Sequence, residues 1–168
     1  GSTLQSFVYD GAGRQIRTQD ANTTSTTSDD VIVTFAYDSL GRVVEETQRL
    51  GAWSSGQKRA VSSDWTSRQR SSVVHPGGRR INFAWNEAGA LETVTNQGES
   101  TPIGAYEYIG GRTLMRTLGN GLALEMRDGS GTHYDASGQP TRWAHVDTTQ
   151  QGTPVVVGFT HTWDGGGN

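Results

Sequence analysis

Four histidines and seventeen acidic residues supply the side chains from which metal sites and acid–base centres are built, so their spacing is the first thing to read. His75, His133, His145 and His161 form no His-x-His or His-x-x-x-His pair that would bring two imidazoles to one metal. The chain has no cysteine, which excludes disulfides, thiol nucleophiles and thiolate ligands together. Ser130 in Gly129-Ser130-Gly131 lacks the strand–turn–helix setting of a hydrolase nucleophile. Asp29-Asp30 and Glu45-Glu46 are adjacent pairs, and neighbours on a strand face opposite ways, so they make poor partners for one glycosidic bond. The runs DGAG (from Asp10), DGSG (from Asp128) and DGGGN (from Asp164) look like acidic calcium loops. Each carries one carboxylate where calcium takes several oxygens, and the same residues suit plain turns. The glycine runs also lack the strand–helix context of a phosphate loop. No catalytic residue, metal site or cofactor is assigned, and the chain is not read as an enzyme. Trp53, Trp65 and Trp143 remain as candidate sugar-stacking platforms, with packing as the plainer role.

The elements that must carry these side chains are repeated hairpins. Phe35-Ala-Tyr37-Asp38-Ser-Leu-Gly41-Arg42 reads as a strand, a tight turn and a returning strand. Similar segments are anchored by Tyr9, Trp85, Tyr108, Tyr134 and Trp163, at gaps of 28, 48, 23, 26 and 29 residues. The gap of 48 is about two periods, and Asp64-Trp65 is the candidate for a degenerate copy inside it. In Asp-x-x-Gly-Arg the Asp side chain accepts from turn N–H groups, and the Gly takes the positive φ of a bulged hairpin turn. Phe7/Tyr9, Phe35/Tyr37, Phe83/Trp85 and Tyr106/Tyr108 each lie two apart and so share a face. Stacked copies predict an aromatic ladder across neighbouring strands. Ala21–Asp30 and Leu50–Lys58 read as loops, and no segment sustains a helical period.

Composition agrees. Hydrophobic residues are only 32%, yet fourteen aromatics argue against disorder. A net charge of −3 with both signs interspersed gives no support for a nucleic-acid partner. No apolar run approaches the length that predicts membrane insertion. Gly1-Ser2 resembles a tag-cleavage scar, and residues 3–168 are read as one array of about six to seven degenerate repeats.

Aromatic-Asp-x-x-Gly-Arg, with a second aromatic two residues earlier, resembles the YD repeats of the RHS-repeat superfamily. That group includes bacterial RHS toxins, the B/C components of insecticidal Tc toxins, wall-associated proteins and teneurins. Tyr9-Asp10-Gly13-Arg14 and Tyr37-Asp38-Gly41-Arg42 match fully. Tyr134-Asp135-Gly138 has Gln139 for Arg, while Trp85-Asn86-Gly89 and Trp163-Asp164-Gly167 have Trp for Tyr. Tyr108-Gly111-Arg112 is one residue shorter and has lost the Asp. The resemblance implies an all-β fold: antiparallel hairpins in a curved, spiralling sheet, part of a shell. It implies a non-enzymatic structural module of a larger secreted or cell-surface bacterial protein, with these signature residues structural. Its partners would be other repeats of the parent, with self-association through exposed strand edges. The alternative is a carbohydrate- or receptor-binding surface.

Overall fold

A computed structural model describes residues 4–21, 28–54, 57–128 and 130–164. Two compact units divide after Ile81. The first holds β1 (Leu4–Tyr9), β2 (Gln15–Ala21), β3 (Val31–Tyr37), β4 (Val43–Leu50), β5 (Arg59–Thr66) and β6 (Gln69–Val74). β7 (Arg80–Trp85) carries the division. The second holds β8 (Leu91–Asn96), β9 (Gly104–Ile109), β10 (Arg112–Leu118), β11 (Leu122–Glu125), β12 (Arg127–Asp128), β13 (Gly131–Thr132), β14 (Arg142–Asp147) and β15 (Val155–Thr160). Thirteen strands belong to one sheet in chain order, and β12 pairs only with β13. The described residues contain no helix, and the fold is the expected all-β array of hairpins.

The hairpin turns explain the order. At β1·β2 the N–H of Gly13 donates to the Asp10 carbonyl (3.0 Å), and the N–H of Asp10 donates to that of Arg14 (2.9 Å). Gly13 sits at φ 77°, as a type I turn closed by a left-handed residue demands. The β3·β4 turn repeats this at Asp38, Gly41 (φ 79°) and Arg42. At β9·β10 the connection is two residues, and the left-handed position is Gly110 (φ 57°) rather than Gly111. The loss of one residue moves the special conformation back by one.

Little side-chain surface is fully buried. Ile32, Val73 and Ile81 are the buried apolar residues of the first unit. In the second, Ala123, Ala144 and Val146 form a small core with Met115 against it. So thin an apolar interior leaves much of the cohesion to ladders and side-chain-to-backbone bonds. Ala21–Asp30 and Leu50–Lys58 do connect strands, but residues 22–27 and 55–56 lie outside the described residues.

Candidate functional site

The recurring constellation lies where the hairpins turn. Asp10 Oδ1 accepts from the N–H groups of Ala12 and Arg14 (both 2.9 Å). Its Oδ2 receives Nε and Nη2 of Arg14 (both 2.7 Å). Asp38 repeats the pattern with Leu40 and Arg42, its Oδ2 contacts being 2.6 Å. The backbone N–H of Arg14, then its guanidinium, holds the Asp10 carboxyl below its ordinary value. For Asp38 the backbone N–H of Arg42 leads, partial burial opposes, and the guanidinium adds to the lowering. Asn86 keeps one such contact, to the N–H of Ala90 (2.9 Å), and Asp135 one to Gln139 (2.8 Å).

Fixed in this way, each arginine reaches the next repeat. Arg14 lies over the Tyr37 ring (4.8 Å) and donates from Nη1 to the Asp38 carbonyl (3.3 Å). Arg42 lies over Trp65 (5.3 Å) and donates to the Ser67 carbonyl. Arg112 lies over Tyr134 (5.8 Å). The aromatics reach back. Tyr37 donates to the Gln15 carbonyl (2.7 Å), Trp65 to Val43 (3.0 Å), Tyr108 to Leu91 (2.8 Å), Tyr134 to Thr113 (2.7 Å) and Trp163 to Pro140 (2.7 Å). Each acceptor is the residue directly after a turn.

The cause is a gap in the ladder. β2 pairs with β3 only up to Arg17↔Thr34, and β4 with β5 only up to Glu45↔Ser62. Neighbouring hairpins therefore part near their turns, so that Gln15 and Val43 have no partner on the following strand. The aromatic of the next repeat fills that place with its O–H or N–H. Successive rings are thus joined through arginine and backbone. Where a ring-on-ring ladder was expected in the first unit, no ring contact links Tyr9 to Tyr37 or Tyr37 to Trp65 among the described residues. Glycine has a second use here. A Cβ on Gly138 would fall 1.8 Å from Nη2 of Arg112, so the bare backbone makes room for the preceding repeat's guanidinium.

Other candidates are dispersed. His75 opens a turn that closes on Arg79. His133 meets Arg142 (3.0 Å), His145 is edge-on to Trp143 (5.6 Å), and His161 receives the Trp143 indole N–H (3.2 Å). Asp30 is buried on Gln19 (2.6 Å), and Glu45 pairs with Lys58 (3.0 Å). Among the described residues no three His, Asp or Glu gather to hold a metal ion. Gly129, Gly167 and the end of the DGGGN run lie outside them. Trp65 is in register as the missing anchor, but Asp64 precedes it and binds Ser72 (2.7 Å) and Arg80 (2.6 Å) instead of a turn. Trp143 stacks on Phe159 (4.3 Å). The arginine-to-aromatic contact was missed in the sequence; its signal is the Arg four residues after Asp10 and Asp38.

Residues 9–52, the first two clasped turns, match the model of the RHS Repeat family. This segment is an RHS repeat. A likeness of fold to solved structures extends well beyond it. The Tc holotoxin pore of Photorhabdus luminescens is similar over 99% of this chain (TM-score 0.64, 15% identity). So are the crystal structures of TcdB2-TccC3 with Cdc42 (0.62, 14%) and of TcdB2-TccC3 (0.61, 14%). The chain covers 10% of the length of each of those chains. No curated protein matches it in sequence.

Proposed function

We propose that this chain is a non-enzymatic structural module of a longer bacterial RHS-repeat protein that is secreted or displayed at the surface. Its work is to build the wall of an encapsulating shell or an extended spiral. The signature residues Tyr37, Asp38, Gly41 and Arg42, with their counterparts, are structural. The observation that carries this reading is the clasp: side chains given to catalysis elsewhere are here spent on joining one hairpin to the next. Other repeats of the parent are the natural partners. The edge strand β15, with Val155, Val156, Val157 and Phe159 exposed, supports pairing with a further strand.

The test uses a longer protein that contains this segment. Clasp substitutions at Arg14 and Arg42 should expose whatever the array encloses to added protease. Unchanged protection together with an unchanged melting temperature would defeat the reading. A second reading, a carbohydrate- or receptor-binding surface, is favoured by one cavity beside Trp53.

A further inference from the structure

Trp53 stands apart from Trp65, Trp143 and Trp163. The indole N–H groups of Trp65, Trp143 and Trp163 are all bonded within the chain, whereas that of Trp53 has no partner among the described residues. Trp53 is half-buried and lines a cavity of about 310 Å³ with Val31, Gln48, Arg49, Leu50 and Arg59. That volume is at the lower end for small-ligand sites.

Register places most of these groups together. Val31 pairs with Leu50 and Gln48 with Arg59, and Gln48 and Leu50 are two apart on β4. All four therefore share one sheet face. Arg59 and Arg49 form no ion pair among the described residues, unlike Arg14, Arg42, Arg80 and Arg127. The loop bearing Trp53 is held in place: Gly51 donates to the Asp30 carbonyl (2.8 Å), Ala52 to Ser28 (2.7 Å) and Trp53 to Leu50 (3.0 Å). The backbone that carries the ring is therefore set before any ligand arrives.

We propose that this cavity binds a single acidic sugar ring, a hexuronate-type residue. The inference deepens the second reading above and does not depend on the structural one. An indole face takes the C–H face of a pyranose, with Val31 and Leu50 as the apolar floor. The Arg59 guanidinium forks onto a carboxylate. The Gln48 amide donates to or accepts from a ring hydroxyl. The amide is what favours a sugar over an aromatic carboxylate, which has no hydroxyl to offer it.

The experiment is a ¹⁵N-NMR titration of the whole chain with galacturonate, galactose, benzoate and sodium sulfate. Galacturonate should shift the Trp53 indole resonance with a dissociation constant of about 0.1–10 mM, as befits one ring in an open site. Galactose should bind about tenfold or more weakly for lack of the carboxylate. Trp53→Ala, followed at the Leu50 and Arg59 backbone amides because it removes the indole signal, and Arg59→Gln, followed at the indole, should each abolish the shift; Arg59 is exposed, so the second variant is expected to keep its fold and melting temperature. Sulfate or benzoate binding as tightly as galacturonate would overturn the proposal, as would indifference to both substitutions. A glycan array separates the two levels of failure. Glycan binding that survives Trp53→Ala sinks this cavity but leaves the second reading standing; no glycan binding at all sinks both.

Discussion

Gly41 sits at φ 79°, where an L side chain is strained, and a Cβ added there would meet the Arg14 side chain at 3.7 Å. Gly41→Val puts a β-branched residue there and should cost about 1–3 kcal/mol of stability, measured by urea denaturation. Tyr37→Phe removes only the hydroxyl that caps the Gln15 carbonyl, and should cost about 0.5–1.5 kcal/mol. If both variants unfold like the parent, the turn and its cap carry no stability. The carboxylates give a pH signature. Asp10 and Asp38 are lowered by the N–H groups and guanidinium of Arg14 and Arg42, and Asp64 by the Ser72 hydroxyl and Arg80. In acid the unfolded chain binds more protons than the folded one, so stability rises with pH there. This contribution is complete above the ordinary Asp value of about 3.9 and is lost as pH falls through the lowered folded values. The double variant Asp10→Asn, Asp38→Asn should be less stable at pH 6 and lose less between pH 6 and pH 3. Parallel pH profiles for variant and parent would contradict the assignment.

At the scale of hairpins, ladder and clasp divide the work. Strands pair regularly along their middles, part near the turns, and are rejoined there by arginine and an aromatic. A double-mutant cycle on Arg42→Ala and Trp65→Leu isolates the contact between neighbouring repeats. The coupling should be about 0.5–1 kcal/mol, as for a cation over an exposed aromatic face. Arg42→Lys should recover little of it, since an ammonium cannot fork onto Asp38 and also stack on the indole. Zero coupling would mean that the guanidinium merely rests on the ring. The element from β11 to β14 shows how the register absorbs change. Met126 donates to the Leu114 carbonyl (2.8 Å) and His133 to that of Met126 (2.7 Å), so the β12·β13 hairpin is inserted within one strand path. The clasp from Tyr134 to Thr113 survives the insertion.

For the molecule as a whole, the edges decide its behaviour. β1 exposes Phe7, Val8 and Tyr9, and β15 exposes three valines and a phenylalanine without a charged residue among them. Unpaired N–H and C=O groups flanked by apolar side chains favour pairing with a further strand. Light scattering over a concentration series should show self-association of the isolated chain. A Val156→Lys substitution at the β15 edge should reduce it with little loss of melting temperature. A strict monomer at high concentration would show that the edges are inert. Far-UV circular dichroism should show strand and almost no helix throughout.

The sequence alone determined the hairpins, because alternation, Asp-x-x-Gly and paired aromatics are local rules that each turn obeys by itself. Gly13, Gly41, Gly89 and Gly138, all at positive φ, are legible from their own neighbours. What tertiary structure decided is whatever joins one strand or hairpin to another. The partner of Arg14 is a ring 23 positions on, and nothing local says that a guanidinium will be laid across it. Asp64 shows the same limit: its place beside a repeat aromatic suggested a turn residue, but cross-strand neighbours in β6 and β7 claimed it. The tryptophans differ for the same reason. Trp65 and Trp143 find partners only once strands pair, and Trp53 is left beside a cavity because its loop folds back onto residues 28–30, a contact that only the closed hairpin can make.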